Sequence, residues 1–118
     1  MSHVATISIK CTDVNAIRRA CLRMGAIYCG RDVCRFYDGS EFIGNIIQLQ
    51  GWQYPICITD EGEIKYDNYE GAWGEQQQLQ QFQQMYAIEA AKCAAEEQNY
   101  SYTEEVLPTG VLKLTIDI

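Results

Sequence analysis

Apolar and polar positions alternate in the opening stretch, where Ala5, Ile7, Ile9 and Cys11 fall on one side and Thr6, Ser8 and Lys10 on the other. A period of two over residues 4–11 predicts a strand with one buried face. The period then changes: Val14, Ile17, Cys21 and Met24 recur at spacings of three and four. That pattern predicts a short amphipathic helix, capped by a side-chain oxygen of Thr12 or Asp13 and stopped at Gly25. Residues 26–37 read as extended but irregular, Asp38-Gly39-Ser40 supplies turn chemistry, and residues 42–50 are extended again with Ile43, Ile47 and Leu49 on one face, predicting a hairpin. A second hairpin is predicted from the runs 54–59 and 63–68 around Asp60-Glu61-Gly62.

The longest element is predicted over residues 75–97, where Leu79, Phe82, Tyr86, Ala90 and Cys93 form a helical stripe. Seven of the nine positions from Gln76 to Gln84 are Gln, a good helix former, and these read as a solvated helix face. Ile88 falls opposite the stripe and is expected at the surface. The chain closes with Tyr102–Leu107 and Val111–Ile118 around Pro108-Thr109-Gly110, with Leu112, Leu114, Ile116 and Ile118 alternating with Lys113, Thr115 and Asp117. The order is strand, helix, four strands, helix, two strands. It predicts one α+β domain over residues 1–118, with both helices on one face of a largely antiparallel or mixed sheet.

A length of 118 residues suits a single core, and 47% hydrophobic residues with two prolines suit a folded one. The net charge of −7 argues against nucleic-acid binding, which depends on Lys and Arg neutralising phosphates. No apolar run approaches the length that crosses a bilayer, and the first residues lack a basic leader, so a cytoplasmic protein without a membrane partner is expected. The charge is uneven. Residues 1–59 carry six Lys/Arg against four Asp/Glu, and residues 60–118 carry three against twelve. Arg18, Arg19, Arg23, Arg31 and Arg35 cluster in the first half, with Arg19 and Arg23 fitting an outward helix stripe.

The six cysteines form no Cys-x-x-Cys pair, and His3 is the lone histidine, so no metal site and no metal cofactor are expected. Cys11, Cys21 and Cys93 sit at predicted apolar positions and read as core thiols. Cys34, between Arg31 and Arg35, is the one candidate for a lowered thiol pKa. With a single histidine there is no base for a Ser or Cys nucleophile, and neither Asp60 with Glu63 nor Asp67 with Glu70 shows a sign of burial, so no catalytic residue is assigned.

The segment Gly51–Glu75 is richer. It holds both tryptophans, Trp52 and Trp73, with Tyr54, Tyr66 and Tyr69, beside Gln53, Asp67 and Asn68. Such rings contribute large contact area at low entropic cost and their polar tips fix orientation, which suits a binding site. The same residues also fit a structural role, closing one end of the core with Asp67 and Asn68 bonded to orphan backbone amides.

Met1-Ser2-His3, Gly51-Trp52-Gln53-Tyr54-Pro55, Tyr66-Asp67-Asn68-Tyr69 with Gly71, Trp73 and Gly74, and Leu112-Lys113-Leu114-Thr115-Ile116 resemble domain-of-unknown-function family 1257, which includes the hypothetical chloroplast reading-frame 35 protein of plastids and cyanobacteria. The resemblance brings no activity, catalytic residue or cofactor with it. Relatives are often encoded near an AAA-type ATPase and a ferredoxin-like protein, and this implies an accessory role. The expectation is therefore a non-enzymatic accessory or adaptor protein that binds a protein partner, with an AAA-type ATPase as candidate, through Trp52, Gln53, Tyr54, Tyr66, Asp67, Asn68, Tyr69 and Trp73. The alternative is a module for a small anionic ligand such as a nucleotide, stacked on the same rings with Arg18, Arg31 or Arg35 supplying charge. A third reading makes Asp67 the acid or base of an enzyme. Homo-oligomers are a further expectation, through an exposed sheet edge or Ile88.

Overall fold

The computed structural model of the chain describes residues 4–7 and 12–118. His3, the expected continuation of the first strand through Ser8, Ile9, Lys10 and Cys11, and the side chain of Ile7 lie outside the described residues. The elements follow the predicted order: β1 (Ala5–Ile7), α1 (Val14–Met24), β2 (Ile27–Arg35), β3 (Glu41–Gln48), β4 (Ile56–Thr59), β5 (Ile64–Tyr66), a 3-10 turn (Tyr69–Gly71), α2 (Gln76–Glu97), β6 (Ser101–Val106) and β7 (Leu112–Asp117). The protein is α+β, and among the described residues every strand pair is antiparallel.

The described strands form two sheets. One has five strands in the order β1-β5-β4-β3-β2, and the other is the two-stranded ribbon β6-β7. α1 therefore connects the two edge strands of the larger sheet. Its start is fixed by Asp13, whose carboxylate accepts from the Ala16 amide at 3.2 Å, and its end by Gly25 at φ 70°. In β2 the register shifts between Tyr28 and Gly30, and Gly30 at φ 90° takes the left-handed position of a bulge.

Both helices cover one face of the larger sheet. Ala16, Ile17, Ala20 and Cys21 of α1 and Leu79, Phe82 and Tyr86 of α2 pack with Ile47, Leu49, Trp52, Ile56, Ile58 and Ile64. Burial in this core pushes the Cys21 thiol up to about 11. A smaller cluster on the other face joins Cys34, Phe36 and Cys57 to Val4, Phe42 and Ile46. β3 and β4 approach closely at Gly44, where a Cβ would overlap the Ile58 carbonyl oxygen.

Arg19 and Arg23 are not a free solvated stripe. Arg23 forks onto Glu104 at 2.7 and 2.8 Å and reaches Glu89 at 2.9 Å; Arg19 forks onto Glu96 at 2.9 and 3.2 Å. Lys92 adds contacts to Glu104 at 2.7 Å and Glu89 at 3.2 Å. The helical pattern brings α1 and α2 together, and their polar edges then meet over β6. Cys93 is half-buried, taking an Arg19 hydrogen bond at 3.0 Å, and Ile88 is half-buried rather than exposed.

Candidate functional site

The segment Gly51–Glu75 divides into an inner and an outer set. Trp52 is inner, 5% exposed, with its ring edge-on to Tyr66 at 6.0 Å and its Nε1 donating to the Glu75 carbonyl at 3.2 Å. Gly74 lies under the indole so closely that a Cβ would overlap the ring. Asn68 is also buried: its Nδ2 donates to the Gly74 carbonyl at 3.2 Å and to Gln76 Oε1 at 3.0 Å, and Gln76 reaches the half-buried Tyr66 hydroxyl at 3.4 Å. These bonds lock the loop onto the first turn of α2. Asp67 is 3% exposed; Oδ1 accepts from the Tyr69 amide at 3.0 Å, and the buried Oδ2 has no hydrogen-bond partner among the described residues. Gln53 keeps an exposed side chain while its amide donates to the Trp73 carbonyl at 2.7 Å.

The outer set converges on Trp73. Tyr69 stacks on it with centroids 4.8 Å apart and planes 22° from parallel. Tyr54 lies at 5.1 Å and Tyr37 meets the indole edge-on at 5.4 Å. Tyr37 and Tyr54 also touch, at 6.5 Å. Tyr37 is 68% exposed and Tyr69 40% exposed, so the cluster is a surface feature. Its rings come from three places: the β2–β3 turn, the loop before β4, and the loop before α2. The last is held by unusual backbone. Tyr69 and Glu70 have φ of 48° and 54°, Gly71 follows at 101°, and the Asn68 carbonyl accepts from both the Gly71 and Trp73 amides. Two consecutive non-glycine residues in the left-handed region cost free energy, and here that conformation turns Tyr69 back onto Trp73.

Sequence reading did not include Tyr37, which joins the cluster only through the fold. A tyrosine just before the Asp38-Gly39 turn was the available signal. Trp52, Asp67 and Asn68 lie inside, because the close approach at Gly74 draws the Trp52 indole under the loop and the polar pair bonds the loop backbone.

Two of the three arginines considered for ligand charge are paired with carboxylates. Arg31 grips Asp60 at 3.0 and 2.5 Å, Arg35 meets Glu41 at 2.9 Å, and Arg18 lies over the Tyr28 ring at 5.5 Å. Cys34 is buried, and the cause of its lowered thiol pKa is a hydrogen bond with Cys57, working against burial, rather than the neighbouring arginines. The same bond and burial push the Cys57 thiol up. Among the described residues no cluster of His, Cys, Asp or Glu has metal-site geometry, and no helix is long and apolar enough to cross a membrane. A groove of about 460 Å³ lies apart from the rings, lined by residues including Met24, Gln78, Met85 and Leu112. Comparison with known proteins found no matching family model, no similar curated protein and no similar solved structure.

Proposed function

We propose that this protein is a non-enzymatic docking module whose partner is an extended, basic protein segment seated on Tyr37, Tyr54, Tyr69 and Trp73. The observation that carries this reading is the surface cluster itself: four rings from three loops pack on one another outside the core, with strained backbone holding Tyr69 in place. Flat rings with hydroxyl tips suit prolyl or aliphatic side chains of an extended chain, the mode by which aromatic-lined surfaces take polyproline segments. Charge supports a basic partner. Glu70 and Glu75 border the rings, both exposed, within the half of the chain that carries twelve acids against three lysines.

An AAA-type ATPase is the partner class that the family resemblance implies, and its basic segments are the first to assay. The test is binding of proline-containing basic peptides to the wild type and to Trp73→Ala, read by the change in tryptophan fluorescence and by calorimetry. Loss of at least about tenfold in affinity for Trp73→Ala with unchanged circular dichroism is expected, as for a central aromatic anchor. Equal affinity of the two proteins for every peptide bound sinks the reading. A nucleotide that raises the melting temperature at millimolar concentration, with no peptide bound, moves the assignment to a small-ligand module.

A further inference from the structure

The ribbon is the least covered part of the fold. β7 pairs with β6 along one edge, and among the described residues no strand pairs with its other edge. The polar contacts that tie the ribbon to the helices fall on β6: Arg23 and Lys92 on Glu104, and the Tyr102 hydroxyl on Glu96 at 3.3 Å. On β7, Leu112, Leu114 and Ile116 form an apolar stripe that remains half-exposed, and Ile118 beyond it is 96% exposed. A two-stranded ribbon is marginal by itself, and an open edge is a template for another strand.

The β7 sequence says which strand fits. In an antiparallel pair, residues directly opposite lie on the same face, so two copies related by a twofold axis must pair about a single residue. Pairing about Thr115 sets Lys113 opposite Asp117 of the second copy and Asp117 opposite its Lys113. On the other face it sets Leu114 opposite Ile116 and Leu112 opposite Ile118. Pairing about Lys113 or Asp117 opposes like charges, and pairing about Leu114 or Ile116 matches neither charge. Only the Thr115 register is complementary in both charge and hydrophobicity. It also extends a row already present, since Lys113 lies 3.8 Å from Glu105 on β6. We propose that β7 is a self-association edge, and that two copies of the chain join β7 to β7 about Thr115 into a continuous four-stranded sheet. This edge shares no residue with the aromatic cluster, and the dimer presents two docking surfaces to a partner with repeated segments.

Charge reversal tests the register on the full chain. Lys113→Asp sets Asp against Asp and Asp117→Lys sets Lys against Lys, so each variant repels its own copy at two positions. Sedimentation of each variant alone should show dimerisation weakened at least about tenfold, because opposed like charges replace two attractive cross-strand pairs. An equimolar mixture of the two variants restores an Asp–Lys pair at both positions and should dimerise like the wild type. Circular dichroism checks that each variant is folded. Hydrogen exchange on the wild type supplies a measurement that needs no variant: β7 amides should gain protection as chain concentration rises, and β2 amides should not. A wild type that stays monomeric up to about 1 mM overturns the proposal. So does a dimer indifferent to both reversals, a mixture that fails to pair, or protection that appears elsewhere than β7.

Discussion

The two indoles occupy opposite environments because of what lies beside them. Trp52 rests on Gly74, whose missing side chain is the space the ring fills, while Trp73 faces Tyr37, Tyr54 and Tyr69 at the surface. Trp52→Ala should cost about 3–5 kcal/mol in urea unfolding, the range for a large core aromatic, whereas Trp73→Ala should cost about 1 kcal/mol, mostly lost ring contacts. Gly74→Ala should cost about 1–3 kcal/mol, since the added methyl meets a ring that cannot swing away from a filled core. Glu70→Gly should change stability in the other direction, by up to about 1 kcal/mol, because glycine adopts φ near 54° without the Cβ clash. A destabilised Glu70→Gly protein would show that the loop is not strained. At this scale the sequence displayed the aromatic segment but not its division. Trp52 and Trp73 have the same residue type and similar neighbours, and the difference arises from a close approach of backbone and ring that no periodicity encodes. Tyr37 was invisible as a partner of Tyr54 for the same reason: the contact exists only once β2 and β3 have paired.

Between elements, the ion cluster decides how β6 sits on the helices. Arg23 first, then Lys92, hold the Glu104 carboxyl down from its ordinary range to about 2. A carboxylate that is easier to ionise in the folded chain than in the unfolded one contributes its full stability above pH 4.5 and loses it as the pH falls toward 2. Glu96, lowered by Arg19, acts in the same direction. Stability measured by urea unfolding should therefore fall between pH 4.5 and 2. Glu104→Gln should lower it at pH 7 by about 1–2 kcal/mol, allowing for solvent screening, and flatten that slope. An unchanged slope in Glu104→Gln would mean the acid sensitivity comes from elsewhere. Periodicity and turn chemistry made the helices and strands legible, including the Gly25 stop and the turns at Gly39, Gly62 and Gly110; the cap was open between Thr12 and Asp13, and the fold gives it to Asp13. Glu89 drew no notice in the sequence: it falls at the edge of the α2 stripe beside Phe82 and Cys93 and is buried there, with Arg23 and Lys92 closing over its carboxylate.

Across the whole molecule, stability should be graded from the sheet to the ribbon. Alternation along Leu112–Ile118 announced a strand with one apolar face but not the sheet it joins, since a period of two specifies faces and says nothing about edges. The fold keeps that strand out of the five-stranded sheet and spreads the molecule to 47 Å along its longest axis. β4 lies inside the larger sheet with Ile56, Cys57, Ile58 and Thr59 all buried, while strands β6 and β7 contain no fully buried residue. Amide exchange follows local opening where few apolar contacts must break and global unfolding where many must. In dilute solution, where chains are separate, β4 amides should exchange only at the rate set by global unfolding. β7 amides should exchange through local opening several kcal/mol below that limit, with β6 between them because Glu104 anchors it. Acid should then act selectively: at pH near 2 the loss of the Glu104 carboxylate should bring β6 down to the level of β7 while β4 keeps its rank. If β6, β7 and β4 instead lose protection together at every pH, the ribbon is part of one cooperative unit, and the stability of its edge owes nothing to the ion cluster.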